Sequence, residues 1–184
     1  MVQKKNKQIL LHACCGICSG FPISWLQEEG YDVLVFFCNP NLDTEEEFNK
    51  RLQAQRTICE NFGAELIVEN YNHEVYLDYI KGLENEPERG KRCDKCIELR
   101  LRLAAMKAIQ LGIDVFTTSL VISPHKNFEK ITECGKNIAA NYNITYLSQN
   151  FRKNDGFLKT NLISRKFGIY RQNYCGCEFA KKGL

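Results

Sequence analysis

The sequence of 184 residues contains no long hydrophobic run, no internal repeat and no low-complexity tract. None of its apolar stretches approaches the ~20 residues that a membrane-spanning helix needs. The first residues, 1 to 7, are mostly polar and lead into an apolar run of strand length, a pattern that is not typical of a signal peptide. We therefore expect a cytoplasmic protein with no membrane partner.

The composition lacks the extremes that mark disordered or fibrous chains. It is 44% hydrophobic and 26% charged, which is typical of a globular protein. A chain of this length can bury one substantial core. We expect a single catalytic domain over residues 1–184.

Cysteine is the residue that the sequence has in excess, with ten in the chain. A reducing cytosol disfavours a disulfide framework, so the cysteines need another explanation. Cys38, Cys59 and Cys134 stand alone and are expected to be small apolar side chains in the interior. The other seven fall into three short groups, a spacing that indicates metal binding: Cys14, Cys15 and Cys18; Cys93 and Cys96; Cys175 and Cys177.

Strand and helix patterns alternate along the chain. Apolar runs predict strands over residues 8–14, 32–39, 64–68, 115–120 and 144–147, and helical patterns lie between them. This order predicts an α/β fold with a doubly wound, mostly parallel five-stranded sheet. A helical tail over residues 156–167 and 170–177 is expected to carry the last two cysteines.

The three cysteine groups occupy positions suited to chemistry. Cys14, Cys15 and Cys18 lie on the turn after the first strand, at the carboxyl edge of the sheet where ligands bind. Cys93 and Cys96 open a helix, whose amide dipoles favour thiolates. The last pair can join the others only if the tail folds back over this edge.

Seven cysteines exceed the four ligands of one closed zinc site. We expect the adjacent side chains of Cys14 and Cys15 to point in different directions and to serve two neighbouring metal centres. An iron–sulfur cluster beside a second, open metal position would use all seven. A structural zinc site with spare cysteines, and a dithiol reductase using one Cys-x-x-Cys, are alternatives.

The basic charge is concentrated at the end of the chain. Residues 151–184 contain eight Lys or Arg and two acidic residues, a local balance of +6. Such a segment indicates a polyanionic partner, most simply a nucleic acid, although a solvated basic face gives the same pattern.

Four motifs together resemble the QueH-type epoxyqueuosine reductases, and they extend over nearly the whole chain. The sequence departs from the family at Gly16-Ile17, where Ala-Pro is more common. The motifs are Cys14-Cys15 with Cys18, Gly90 to Cys96 with Arg100-Leu101 beyond, Ser123-Pro124-His125-Lys126, and Tyr170 to Cys177.

The resemblance implies a fold of the PP-loop and adenine nucleotide hydrolase-like (HUP) type. Cysteines replace the phosphate-binding turn of those relatives, so we expect no ATP site. It further implies that epoxyqueuosine at the wobble position of a tRNA loses its epoxide oxygen and becomes queuosine. The family is understood to use a 4Fe-4S cluster and a nearby second metal ion, iron, held by cysteines.

Chemistry of this kind needs ligands, a proton source and an electron supply. We hypothesise that the seven grouped cysteines share the two centres. Asp94 is either an oxygen ligand of the second metal or a proton donor, unless it is only a helix carboxylate facing water. His125 could protonate the oxygen or contact the nucleoside, or be an ordinary loop histidine. A ferredoxin or flavodoxin is the expected electron donor.

RNA contacts are expected from the tail and from the loop after the fourth strand. Lys126, Arg165 and Arg171 are candidates for phosphate contacts. Tyr170 or Tyr174 could stack on the modified base of the anticodon loop.

His12 is expected to pack at the end of a strand, and His73 to lie on the surface of a helix. Two other function classes are compatible with parts of the sequence. A PP-loop-like tRNA sulfur transferase with an iron–sulfur cluster should retain an ATP-binding loop, which the sequence lacks. A non-catalytic, zinc-binding RNA-binding protein would be colourless and contain no iron.

Overall fold

Five parallel strands form one sheet in the computed structural model, which describes residues 7–183. The strands are β1 Lys7–Ala13, β2 Tyr31–Phe37, β3 Glu65–Val68, β4 Val115–Thr118 and β5 Thr145–Tyr146. Their spatial order is β3-β2-β1-β4-β5, and every neighbouring pair is parallel. The predicted doubly wound five-stranded sheet is confirmed.

Helices connect the strands and cover both faces of the sheet. They are α1 Gly16–Glu28, α2 Glu45–Phe62, α3 Glu74–Tyr79, α4 Lys91–Gln110, α5 Phe128–Tyr142 and α6 Gly156–Lys166. Helix α1 packs against α2 and α6, and α4 packs against α5. Within residues 7–183, no helix is both long and apolar enough to cross a membrane. The polar start of the chain, residues 1–6, lies outside the described residues.

The central strands are apolar because both of their faces are covered. Ile9, Leu10 and Leu11 of β1 are fully buried, and so is Val35 of the adjacent β2. Strands covered on both faces have near-continuous apolar sequences, which is the pattern the sequence showed for these two segments. The strand ends therefore provide a rigid platform for the residues that follow them.

Local signals define the two ends of α2. The sequence predicts a capping box from Thr44 and Glu47 and a stop at Gly63. The Thr44 hydroxyl does accept a hydrogen bond from the Glu47 amide at 3.2 Å, and Gly63 has φ +61°. The Glu47 carboxylate, however, bonds instead to Arg51 Nε and the Tyr170 hydroxyl. Only half of the capping box forms, and its acidic residue is available for a tertiary contact.

The tail is helical in its first part only. The prediction for residues 156–167 is confirmed by α6, whereas the prediction of a helix over 170–177 is wrong. The carbonyl oxygens of Tyr174 and Cys175 each accept a hydrogen bond from the Arg51 guanidinium at 3.1 Å. The Gly176 carbonyl accepts from the Asp43 amide at 2.9 Å. Because these carbonyls are bound to distant residues, the segment crosses the sheet edge as an irregular strap.

We predict that Gly16→Ala destabilises the protein more than Gly20→Ala does. A Cβ at Gly16 would lie 2.5 Å from the Ala54 carbonyl oxygen, which α2 cannot easily move. A Cβ at Gly20 would meet the Ile163 side chain at 2.7 Å, and the helix propensity of alanine offsets part of that cost. Gly16→Ala should lower the free energy of unfolding by about 1–3 kcal/mol in urea titrations. Equal stability of the two variants would contradict the close backbone contact.

Candidate metal centres and substrate cavity

The segments that follow β1, β2 and β4 begin at the same edge of the sheet. The register aligns Ala13 of β1 with Phe37 of β2, and His12 of β1 with Thr118 of β4. The segments that follow these strands begin at Cys14, Cys38 and Ser119 and therefore start side by side. This is the carboxyl edge at which open parallel sheets bind ligands.

Cys14, Cys15 and Cys18 form what we call the first cysteine group. Their three Sγ atoms all lie within 4.8 Å of one another, and those of Cys14 and Cys15 are 3.7 Å apart. Two thiolates on a tetrahedral ion with bonds of about 2.3 Å would be separated by about 3.8 Å. The expectation that Cys14 and Cys15 diverge is therefore wrong. Cys15 is extended at the start of α1, and the first turn of that helix brings Cys18 back to both.

Hydrogen bonds within the first group favour a single thiolate. The Cys15 and Cys18 thiols donate toward Cys14, and this holds the pKa of Cys14 well below its usual range, with Arg100 and Ser119 assisting. The same contact raises the pKa of Cys15 to about 12 and raises that of Cys18. A metal ion bound by all three would displace the two remaining protons. The donor set fits a thiophilic metal ion.

Cys93, Cys96, Cys175 and Cys177 form the second cysteine group. The first two lie in the opening turns of α4, and the strap brings the other two against them. All four line a small enclosed space of about 20 Å³. Burial raises the pKa of Cys96 to about 11 despite the nearby Arg100.

A larger cavity of about 840 Å³ opens beside both groups. Cys14 and Cys18 of the first group line it, as do Cys93 and Cys175 of the second. Three segments distant in sequence thus meet at one cavity. Its volume falls within the range of about 300–1,000 Å³ found for small-molecule sites, which is large enough for a nucleoside.

The two candidate proton carriers lie at this cavity. Asp94 is exposed and pairs with Lys130, the Nζ of which is 3.1 Å from its carboxylate. His125 is also exposed, and its Nδ1 accepts a hydrogen bond from the Arg89 guanidinium at 3.3 Å. Both side chains are therefore accessible to a bound molecule.

Two of the five candidate RNA-binding residues line the cavity. Lys126 Nζ lies 3.5 Å from Cys175 Sγ; although burial lowers the pKa of Lys126, the surrounding thiolates outweigh it and raise that pKa. The cationic groups of Arg51 and Lys181 lie 5.4 and 4.7 Å from the centroid of the Tyr174 ring. An aromatic face is thereby fixed at the cavity wall.

The other three candidate RNA-binding residues are not among the residues that line the cavity. Arg165 is exposed near the end of α6. Arg171 donates hydrogen bonds to Ser164 and Asn161 on the same helix, each at 3.0 Å. The Tyr170 hydroxyl donates to Glu47 at 2.8 Å, so this tyrosine fastens the tail to α2.

The histidines and lone cysteines have structural contacts. His12 is fully buried, as expected; burial and then Arg100 lower its pKa to about 3, so the ring is neutral. The expectation of a surface position for His73 is wrong, because its ring bridges the Pro40 carbonyl and Glu178. The solitary cysteines differ in exposure: Cys38 and Cys59 are buried as expected, whereas Cys134 is partly exposed.

Several residues that support the cysteines were given no role in the sequence analysis. Ser119 accepts a hydrogen bond from the Cys14 amide at 3.2 Å and donates toward its sulfur. The Gln172 amide donates to Cys15 Sγ at 2.9 Å. Arg51, Arg92 and Arg100 are buried cations that line the cavity or the small enclosed space. Arg100 stands within one of the recognised motifs, whereas the spacing around Arg51 gives no comparable signal.

The fold and these cysteine groups define a cysteine-rich α/β protein with a five-stranded parallel sheet and a candidate metal centre. The family model described as "Epoxyqueuosine reductase QueH" matches residues 9–183. The chain therefore belongs to the epoxyqueuosine reductase QueH family.

Two curated relatives and one solved structure illustrate the similarity. The epoxyqueuosine reductase QueH of Streptococcus pyogenes serotype M1 is 36% identical, over 95% of this chain and 70% of its own length. That of Acinetobacter baylyi is 38% identical, over 94% of this chain and 80% of its own length. The U34-tRNA thiolase NcsA from Methanococcus maripaludis, solved with its [4Fe-4S] cluster, has a TM-score of 0.60 at 16% identity. It matches 97% of this chain and 62% of its own length, and supports the fold alone.

We predict that Arg51→Met destabilises the protein strongly. The substitution leaves the Glu47 carboxylate, 7% exposed, without its partner at 2.6 Å and removes two donors to the strap. A buried pair broken in this way costs about 3–5 kcal/mol, measurable in urea unfolding. The double variant Glu47→Gln with Arg51→Met should recover part of the loss. Wild-type stability of the single variant would contradict this role of the pair.

Proposed function

We propose that this protein catalyses the reductive removal of the epoxide oxygen of epoxyqueuosine in the anticodon wobble position of tRNA. The epoxide accepts two electrons and two protons, both carbon–oxygen bonds break, and the oxygen leaves as water while the ring becomes the cyclopentene of queuosine. The observation that carries the proposal is the meeting of three cysteine segments at a cavity of about 840 Å³. Membership of the QueH family supports the same reaction.

We propose that the two cysteine groups share a 4Fe-4S cluster and a second metal ion, iron. The donor set supports this, because Cys14, Cys15 and Cys18 place three sulfurs within 4.8 Å and the second group adds four. Seven sulfur ligands exceed the requirement of one zinc ion. When bound, the cluster would supply single electrons and the second metal ion would supply a Lewis-acid position.

The side chains at the cavity divide the remaining tasks. Asp94 and His125 are exposed to the cavity and are proposed to deliver the protons that the departing oxygen takes up. Lys130 keeps the Asp94 carboxylate in place at 3.1 Å, and Arg89 orients the His125 ring at 3.3 Å. An oxygen-ligand role of Asp94 toward the second metal is compatible with the same position.

RNA contacts are proposed at the cavity and beyond it. Tyr174 presents a ring on which an unstacked base can stack, and Lys126 places a cation beside the same space. Arg165 extends the basic surface outward along α6. Tyr170 and Arg171 support this surface through their bonds to α2 and α6 rather than through the cavity. The electron donor is proposed to be a ferredoxin or flavodoxin, in the cytoplasm.

Replacement of single ligands tests the metal assignment. Cys14→Ala, Cys93→Ala and Cys177→Ala should each lose iron and turnover of epoxyqueuosine-containing tRNA with a chemical reductant, because each removes a sulfur donor. Iron is measured by elemental analysis of anaerobically purified protein. Cys134→Ala is the matched control and should keep both, since Cys134 lines neither cysteine cavity. Full activity in any of the three variants would contradict the assignment.

Neutralising Arg165 tests the proposed RNA-binding surface. Arg165→Gln should weaken tRNA binding and reduce the slope of log K against log salt by about 1, because one phosphate contact is lost. Arg56→Gln, an exposed site on α2, is the control. An unchanged affinity and slope for Arg165→Gln would indicate a solvated basic face.

A further inference from the structure

Arg100 is a buried cation between the two cysteine groups. It lies in α4 with 3% of its surface exposed, and it lines both the large cavity and the small enclosed space. Its Nη2 donates to the Asn39 side-chain oxygen at 2.7 Å, and Asn39 in turn donates to the Ala13 carbonyl at 3.0 Å. The guanidinium is thereby tied to the peptide that immediately precedes Cys14.

The charge of Arg100 has no carboxylate partner within residues 7–183, where no acidic oxygen lies within 4.0 Å of its nitrogens. Its Nε is buried and makes no hydrogen bond there. The Arg100 side chain instead lines the large cavity together with Cys14 and the small enclosed space together with Cys96. A buried cation without a counterion is costly, so thiolates are the groups that can compensate it.

We propose that Arg100 is a positioning residue that supplies the fixed countercharge shared by both metal centres, and that it raises their reduction potentials. The inference rests on the proposed function, since it requires metal at the cysteine groups. Each electron taken up adds one negative charge to a centre. A nearby fixed cation in a poorly solvated interior favours that more negative state. Because Arg100 borders both groups, one side chain would ease reduction at either.

The test separates the effect of the Arg100 charge from the effect of its structural contacts. Arg100→Gln removes the charge and keeps an amide donor for Asn39, whereas Arg100→Lys keeps the charge. The full chain, reconstituted anaerobically with iron and sulfide, is titrated against redox mediators and followed by electron paramagnetic resonance and visible absorption. We expect a lower midpoint potential for Arg100→Gln and a nearly wild-type potential for Arg100→Lys. Arg102→Gln, an exposed site on the same helix, should match the wild type.

An unchanged potential in Arg100→Gln, or an equal fall in both Arg100 variants, would overturn the inference. Asn39→Leu provides a second check, because it removes the tie to Ala13 and leaves the charge in place. If Asn39→Leu lowers the midpoint potential as much as Arg100→Gln does, Arg100 acts only through its hydrogen bond to Asn39, and the inference fails.

Iron content becomes the deciding measurement if Arg100→Gln takes up no metal. Arg100→Lys should then load iron as the wild type does, and its failure to do so would overturn the countercharge role. A wild-type protein that binds no iron would contradict the proposed metal centres themselves, and the inference with them. That failure is visible before any variant is compared.

Discussion

The buried ion pair between Arg51 and Glu47 holds together parts of the chain that lie more than a hundred residues apart. Arg51 Nε meets the Glu47 carboxylate at 2.6 Å, and the other two guanidinium nitrogens donate to the carbonyls of Tyr174 and Cys175. Glu47 also accepts from the Tyr170 hydroxyl. The planar fork of arginine suits this arrangement, because all its donors lie in one plane. Without these contacts the strap would lose the bonds that its Tyr174 and Cys175 carbonyls make at the sheet edge.

The sheet was predictable because its signals are local. Continuous apolar runs marked the buried strands, and Thr44 and Gly63 marked the ends of α2 as the structure has them. The strap was not predictable in the same way. Its carbonyls are satisfied by Arg51 and Asp43, and nothing within residues 170–177 reveals those partners. A segment whose backbone bonds are tertiary carries no periodic pattern of its own.

The candidate site was predictable to the extent that topology decides it. Residues that follow parallel strands meet at one edge, so the position of the first cysteine group followed from its place after β1. Side-chain directions did not follow, as the 3.7 Å separation of the Cys14 and Cys15 sulfurs demonstrates. Two tyrosines four residues apart also diverge, since Tyr174 lines the cavity while Tyr170 faces Glu47. An irregular backbone gives no rule for which side chain points inward.

Charge divides the site into an interior and a mouth. The interior combines the cysteine groups with Arg100 and Lys126, cations that are compensated by sulfur rather than by carboxylates. The mouth carries Asp94 paired with Lys130, both exposed to solvent. Buried cations are unfavourable without a compensating charge, and thiolates are groups in this interior that can supply it. Metal binding would favour thiolates, because it replaces the protons of the sulfur ligands.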